Sequence, residues 1–590
     1  MPSALSCISP FDNHPKLVLF ALRVILNITE ATALAPPGSD DTSALSEALF
    51  APGCLEALYA ILAQPQADAV IQEQKRLVST LITLLCKGSH HQSALADIGI
   101  LDALASMLAS FVVWRGEVIP GAESRGAVDG LISLIPEPAP PGANLALTLE
   151  AISTIIADSR FRAYALLCSP AIMAVFPSIE ISTAGGQNAR VAWDALESHG
   201  YGNSNGKSAG AMEYLLPPIP ISQPRGVVPA QFSQFPQASS ISNRDSNNAR
   251  SSSFKFTGLE ASGEDADTDE PGSPLIPWLI HLARSTHGLE RVMAASVLTS
   301  LYKAGFASPD REQALAYLVV PLLCELIREH DKEMPTSMQQ IPRVEAEVAK
   351  DWAILERAPE VLARLVGDSE CLQQAAHECG AIPLAAKLLK DAYDPMLSQS
   401  PAKQWTPNPD SSISSDQLSP SSRLGPPGQV PVYAHRIKMR DTALKLVAAM
   451  ATQKDEYQKA LSEQDVVPYI VESLTSKPRK PRNAKEKQAA EEEGEKAQEG
   501  PEPSPYGHNP NMVITAACHA LRAIARSVSI VRTTLQDHEV WQPILKLLRN
   551  PDTEVQIAAS SSVINLLTSC SPMVEVSTTI LNHTFCGSEC

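Results

Sequence analysis

The stretch HECGAIPLAAKLLKD, His377–Asp391, sets a proline one turn into a run whose apolar residues keep helical time. Ala381, Leu384, Ala385 and Leu388 fall at i, i+3, i+4 and i+7, which places them on one face of an α-helix. Pro383 fits such a helix only near its start, where a backbone N–H would have had no partner. The spacing therefore predicts a break at Cys379-Gly380, then a helix with one buried stripe.

Outward from this stretch the pattern returns. It is carried by SPLIPWLIHLAR (Ser273–Arg284), YLVVPLLCELIRE (Tyr317–Glu329), QDVVPYIVESLTS (Gln464–Ser476) and HEVWQPILKLLRN (His538–Asn550). The stripes read Leu275/Trp278/Leu279/Leu282, Val319/Leu322/Leu323/Leu326 and Trp541/Ile544/Leu545/Leu548; the Pro468 copy fits one position later, as Val467/Ile470/Val471/Leu474. PGCLEALYAIL (Pro52–Leu62) and IGILDALASML (Ile98–Leu108) lack the proline but keep glycine and stripe. Seven copies of one helix start make a repeat. Gly53 to Gly99 is 46 residues and Pro277 to Pro321 is 44. Later intervals are longer because of stretches that cannot pack: DKEMPTSMQQIPR, a Ser/Pro/Gly run near 394–430, and the charged run KPRKPRNAKEKQAAEEEGEKAQEGPEPSP. Without them each interval returns to roughly 40–47 residues, the length of a HEAT or armadillo unit.

A stack of helices tolerates such inserts. Lengthening a loop from about 5 to about 40 residues costs roughly 2 kcal/mol of closure entropy. Burying four large stripe residues contributes on the order of 6–10 kcal/mol before entropy. The core wins if the insert leaves at the surface.

A second class of segment is longer and doubly apolar: His14–Glu30, Gln72–Gly88, Gly288–Gly305, Lys438–Thr452, Asn511–Ser527 and Thr553–Ser569. A short helix such as DEYQKALSEQ (Asp455–Gln464) leads to the next stripe. Short helix, turn, stripe helix and long Ala-rich helix together resemble the armadillo unit, and ECGAIP (Glu378–Pro383) matches that family's most recognisable turn. Aromatics are only 5%, and β-branched runs of period two are absent. The expected fold is all-α: an armadillo/HEAT-like right-handed superhelical solenoid with long disordered insertions.

In importin-like armadillo members an Asn late in each third helix, with a Trp one turn earlier, clamps an extended peptide. Here that position holds Asn27, Thr83, Ser300, Ala449, Ala523 and Asn565, with Arg23, Ser79, Ser296, Lys445, His519 and Ser561 four residues earlier. The ladder is broken and no Trp appears. Asn27, Thr83, Ser300 and Asn565 remain the expected partner-binding positions on the concave face.

SPLIPWLIHLARSTHGLERVMAASVLTSLYKAG and VINLLTSCSPM (Val563–Met573) resemble the armadillo scaffold subunit of the GID/CTLH ubiquitin ligase. The resemblance implies a non-catalytic subunit that docks a substrate receptor onto a RING- and CTLH-containing core, leading to proteasomal degradation. The alternative is an importin-like or catenin-like adaptor for linear peptides. The expected organisation is armadillo-like repeats at 1–182, 273–393, 431–476 and 511–573, with disordered insertions at 183–272, 394–430 and 477–510. After Met573 the tail VEVSTTILNHTFCGSEC has neither period nor a polar cap, which a solenoid end needs; a truncated chain or an altered gene model is expected, with the array beginning mid-unit at a third helix.

The 590 residues carry 47 Lys+Arg against 65 Asp+Glu, a net charge of −18, which argues against a nucleic-acid partner. No apolar run approaches the roughly 20 residues of a membrane span. Eleven cysteines without framework spacing, and no leader in MPSALSCISPFDNHPK, point to reduced thiols in cytoplasm and nucleus, so the sequons at Asn27 and Asn582 are expected unused.

Catalytic and cofactor signals fail one by one. In GYGNSNGKSAG (Gly200–Gly210) a phosphate loop would need glycine where Tyr201 stands. VAWDALE (Val191–Glu197) reads as a stray amphipathic turn ahead of the alternative, a short docking helix. Histidines are never at metal spacing, and His90-His91 read as a turn between helices; Cys586 and Cys590 lack two further ligands. Cys379 stands at a helix entry, where the dipole lowers a thiol pKa, but reads first as the small residue the turn wants. KPRKPR (Lys477–Arg482) reads as half of a basic-then-acidic linker ahead of the alternative, a nuclear import signal, and Ser273, Ser400, Ser419 and Ser504 precede prolines in or beside the inserts, where phosphorylation would add charge. No nucleophile–base–orienter set can be assembled. The expectation is a protein-binding protein with no enzyme activity, cofactor, metal or small-molecule substrate.

Overall fold

Gly380 adopts φ 79°, a left-handed conformation that a side chain would strain, and hands the chain from one helix to the next at the ECGAIP turn. Gly99 does the same at φ 87°. In the copy ahead of Pro468 the left-handed residue is Asp465, at φ 53°. Pro383 is the third residue of its helix, among the positions whose N–H lacks an intrahelical partner.

The computed structural model describes residues 5–33, 43–65, 68–118, 135–176, 273–306, 309–331, 346–395, 431–481 and 506–569, apart from a few positions between 528 and 539. The chain enters on α1 (Pro15–Ala33). Two triplets follow: α2 (Ser43–Leu49), α3 (Pro52–Ala63) and α4 (Ala69–Leu85), then α5 (Ser89–Asp97), α6 (Ile100–Arg115) and α7 (Leu145–Ile156). Next come α8 (Arg160–Leu167), α9 (Pro170–Val175), α10 (Leu275–Ser285) and α11 (Leu289–Lys303). Three more triplets are α12 (Pro309–Leu318), α13 (Val320–His330), α14 (Ala346–Val366); α15 (Glu370–Glu378), α16 (Ala381–Asp391), α17 (Pro431–Met450); and α18 (Asp455–Glu463), α19 (Val467–Ser473), α20 (Asn511–Ile524). The last described helices are α21 (Trp541–Leu547) and α22 (Thr553–Ser569).

All seven stripe segments become second helices, as α3, α6, α10, α13, α16, α19 and α21. Leu275, Trp278, Leu279 and Leu282 are buried, as are Ala381, Leu384, Ala385 and Leu388. In α13 the stripe is shifted, with Leu322 only half-buried while Val320, Leu323, Cys324, Leu326 and Ile327 are buried. The third helices form one row, each packed on the next: α1, α4, α7, α11, α14, α17, α20, α22. A single apolar core runs along it.

The row continues across residues 177–272. Trp278 of α10 is fully buried, 5.6 Å from Phe176 at the end of α9, and its indole nitrogen donates to Glu117 at 2.7 Å. Arg115 of α6 pairs with Glu290 of α11 at 3.1 Å. The chain also closes tightly at the root of the charged insert: Asn509 donates through its backbone to Ser476 and through its amide to Glu472 and Thr475. The insertions expected over 183–272, 394–430 and 477–510 fall almost wholly outside the described residues, together with VAWDALE, GYGNSNGKSAG and the tail from 574 onward.

Candidate binding face on the third helices

Small residues at mid-helix let α7 and α11 approach closely. The hydroxyls of Ser153, Ser296 and Ser300 meet there, with Ser153 Oγ 2.7 Å from Ser296 Oγ and 2.9 Å from Ser300 Oγ. Because α11 is so thin at this point, Arg357 of α14 reaches past it to Glu150 of α7 at 2.6 Å. Long side chains thus bridge over short ones.

The bridging continues along the row. Glu356 accepts from Lys438 at 3.0 Å and lies 2.9 Å from His435 Nδ1, both on α17, and the His435 ring stacks on Trp352 with centroids 4.5 Å apart. Glu360 pairs with Lys445 at 2.6 Å, and Lys445 also pairs with Asp441 at 2.8 Å. Arg364 reaches Asp158 at 3.4 Å and Ser300 at 3.3 Å. Near the start Arg23 of α1 reaches Glu73 of α4 at 3.5 Å. Lys438 and Lys445 keep 42% and 39% of their side chains exposed, so this is an open polar strip and not a sealed core network.

Its electrostatics follow from the pairing. Burial pushes the Glu356 carboxyl up, but the His435 hydrogen bond and the Lys438 charge outweigh it and hold the group below the ordinary value. Glu360 behaves alike, with burial overridden by Lys445. Asp441, almost fully buried with one carboxylate oxygen unpartnered, is pushed up to about 6 by burial, against the pull of Lys445. The row therefore presents fixed, alternating charge.

The positions expected to bind a partner have different fates. Asn27 lies exposed on α1. Thr83 is half-buried and its hydroxyl donates to Ser79 O of its own helix. Ser300 is fully buried in the serine cluster, so it holds helices together and does not line an open surface. Asn565 donates its amide to Arg522 O of α20 at 2.9 Å, a link between neighbouring third helices. The signal that finds the charged strip is opposite charge on successive third helices, such as Glu356 and Glu360 facing Lys438 and Lys445. It becomes visible only once α14 is recognised as one of them.

One local reading stands and one is corrected. Burial and Glu378 push the Cys379 thiol up, against Arg328, so the helix entry does not activate it. His90 and His91 lie in the first turn of α5, not in a turn between helices, and both reach Glu47 of α2. A carboxylate 43 residues away cannot be seen in histidine spacing.

No family model matches the chain. It is 28% identical over 306 residues to GID complex subunit 5 of Schizosaccharomyces pombe (strain 972 / ATCC 24843), covering 52% of this chain and 30% of that protein. It is 29% identical over 142 residues to Armadillo repeat-containing protein 8 of Danio rerio, covering 24% of this chain and 16% of the relative. The chain thus matches well under two thirds of the length of these relatives. Among solved structures, a designed armadillo repeat protein superposes with TM-score 0.28 at 16% identity over 50% of this chain and 82% of its own, too loosely to carry an argument. Helix triplets joined at glycine- and proline-led turns and stacked through their third members make an armadillo-like array, and the chain is similar in sequence to GID complex subunit 5.

Proposed function

We propose that the chain is a non-catalytic scaffold of a GID/CTLH-type ubiquitin ligase, holding a substrate receptor against the RING- and CTLH-type subunits in cytoplasm and nucleus. The likeness to GID complex subunit 5 over 306 residues carries this reading. The continuous row of third helices supports it, because a rigid row with half-exposed, oppositely charged side chains suits a folded protein partner. Charge complementarity of that kind sets specificity and association rate. An extended peptide would instead need repeated open amides, and Ser300 and Asn565 spend their polar groups between helices. Asn27 and Thr83, with Lys438 and Lys445, are the positions proposed to meet the partner.

Affinity purification of the tagged chain from native extract tests the reading. Recovery of RING- and CTLH-type subunits is expected, with Lys438→Glu/Lys445→Glu recovering at least several-fold less receptor; because that pair also unpairs Glu356, Glu360 and Asp441, the exposed Asn27→Glu is the companion that should weaken recovery at unchanged melting temperature. Recovery without any such subunit would overturn the proposal.

A further inference from the structure

Glu47 comes from α2, while His90 and His91 come from α5, the first helix of the next unit. One carboxylate oxygen of Glu47 lies 3.2 Å from Nε2 of His90 and 3.2 Å from Nε2 of His91. The three ligand-type atoms all lie within 4.8 Å of one another. We propose that Glu47, His90 and His91 form a binding site for one divalent transition-metal ion of the zinc type, which clips two successive repeat units together along the row of first helices.

The distances, which are those of hydrogen bonds, also match the edges of a metal site. Ligands about 2.0–2.1 Å from a tetrahedral zinc are about 3.3–3.4 Å apart. Both nitrogen–oxygen edges here are within about 0.2 Å of that value. Two imidazoles and one carboxylate leave a fourth position for water, and this donor set is borderline in softness, which suits zinc better than magnesium or calcium.

The surroundings fix the rings. His91 is buried, and its ring stacks on Phe50 with centroids 4.1 Å apart and planes 20° from parallel. Its Nδ1 meets no hydrogen-bond partner, so nothing on that side dictates the tautomer and the Nε2 lone pair can turn to a metal. The His90 ring folds back over Gly88, where an added Cβ would lie 2.6 Å from it; glycine at that position is what permits the convergence. The positive end of the α5 dipole works against a cation, and the Glu47 carboxylate answers it. On binding, the ion displaces any proton shared between each Nε2 and the carboxylate, and no redox step is involved.

Titration of the purified, chelator-treated chain with Zn2+ alone, followed by calorimetry and melting temperature, tests the site. One equivalent bound at micromolar strength or tighter and a raised melting temperature are expected. His90→Ala and Glu47→Gln, both at exposed positions, should each weaken binding at least tenfold. Gly88→Ala, which touches no ligand, should weaken it by displacing the His90 ring. Co2+ in the same site should show tetrahedral visible bands without the thiolate charge-transfer band that the chain's cysteines would give. No binding, or equal binding in the wild type and all three variants, would overturn the proposal.

Discussion

At Asp391 a half-buried carboxyl on α16 faces other acids. Burial, then the charges of Asp331 and Asp394, pushes it up to about 6, against the pull of Lys387 and Arg436. An unfolded aspartate titrates near 3.9, so between about 4 and 6 the folded chain holds more protons than the unfolded one. This group's contribution to stability is therefore complete at low pH and is lost as pH rises through about 6. A two-unit shift, discounted for partial solvent access, is on the order of 1–2 kcal/mol. Asp391→Asn mimics the protonated side chain. Its stability relative to wild type should rise from near zero at pH 4 to about that amount at pH 8, read by denaturant unfolding at each pH. A difference that stays flat across the range would show that Asp391 is not the group responsible.

The helices that sequence period reveals are those whose burial follows a clean stripe. α16 and α10 belong to this class, each with turn, proline and i, i+3, i+4, i+7 apolar residues all agreeing. α14 keeps the period too, with Leu355, Ala358, Leu362 and Leu365 buried, but it lacks the glycine-led turn, and its proline and charges argue the other way. It carries Pro359 inside a 21-residue helix and spends Glu356, Arg357, Glu360 and Arg364 on neighbouring third helices, where a stripe reading sees only polar residues. α7 has no mark in its own sequence of being a third helix, since that role is set by packing on α4 and α11 rather than by its own period. The charged strip was hidden with them. Ser300 shows the same limit from the other side: aligned by position it looks like a surface residue, but the approach of α7 buries it. Ser300→Ala removes the bonds to Ser153 and Arg364, but Ser153 keeps Ser296 and Arg364 keeps Asp158, so the loss should be about 1 kcal/mol. Ser300→Leu overfills the gap between helices and should cost about 1–3 kcal/mol. Chemical denaturation of both variants separates the cases; a harmless leucine would return Ser300 to the open face.

Across the molecule, the question is whether residues 177–272 divide the stack or merely interrupt its connection. Packing says the latter. Fully buried Trp278 lies against Phe176 and donates to Glu117, Arg115 reaches Glu290, and α7 lies along α11 with Leu149, Ile152, Val292 and Val297 all buried. In a stack where each unit contacts only its neighbours, such an interface couples the two parts as firmly as units joined by a short loop. Burying even five large apolar side chains across it contributes about 8–15 kcal/mol. The buried residues on both sides belong to one continuous apolar core, the kind of interface that holds obligate partners together, so at micromolar concentration the pieces should stay together. A specific protease site placed within 177–272 and cut after folding tests this. The two fragments should co-elute as one species in native buffer and separate only in denaturant. Trp278→Ala, which leaves a large cavity at the boundary and costs about 3–5 kcal/mol, should let the cut pieces part under milder conditions. Immediate separation of the wild-type fragments on cutting would mean that the third-helix row is two stacks, each needing its own explanation.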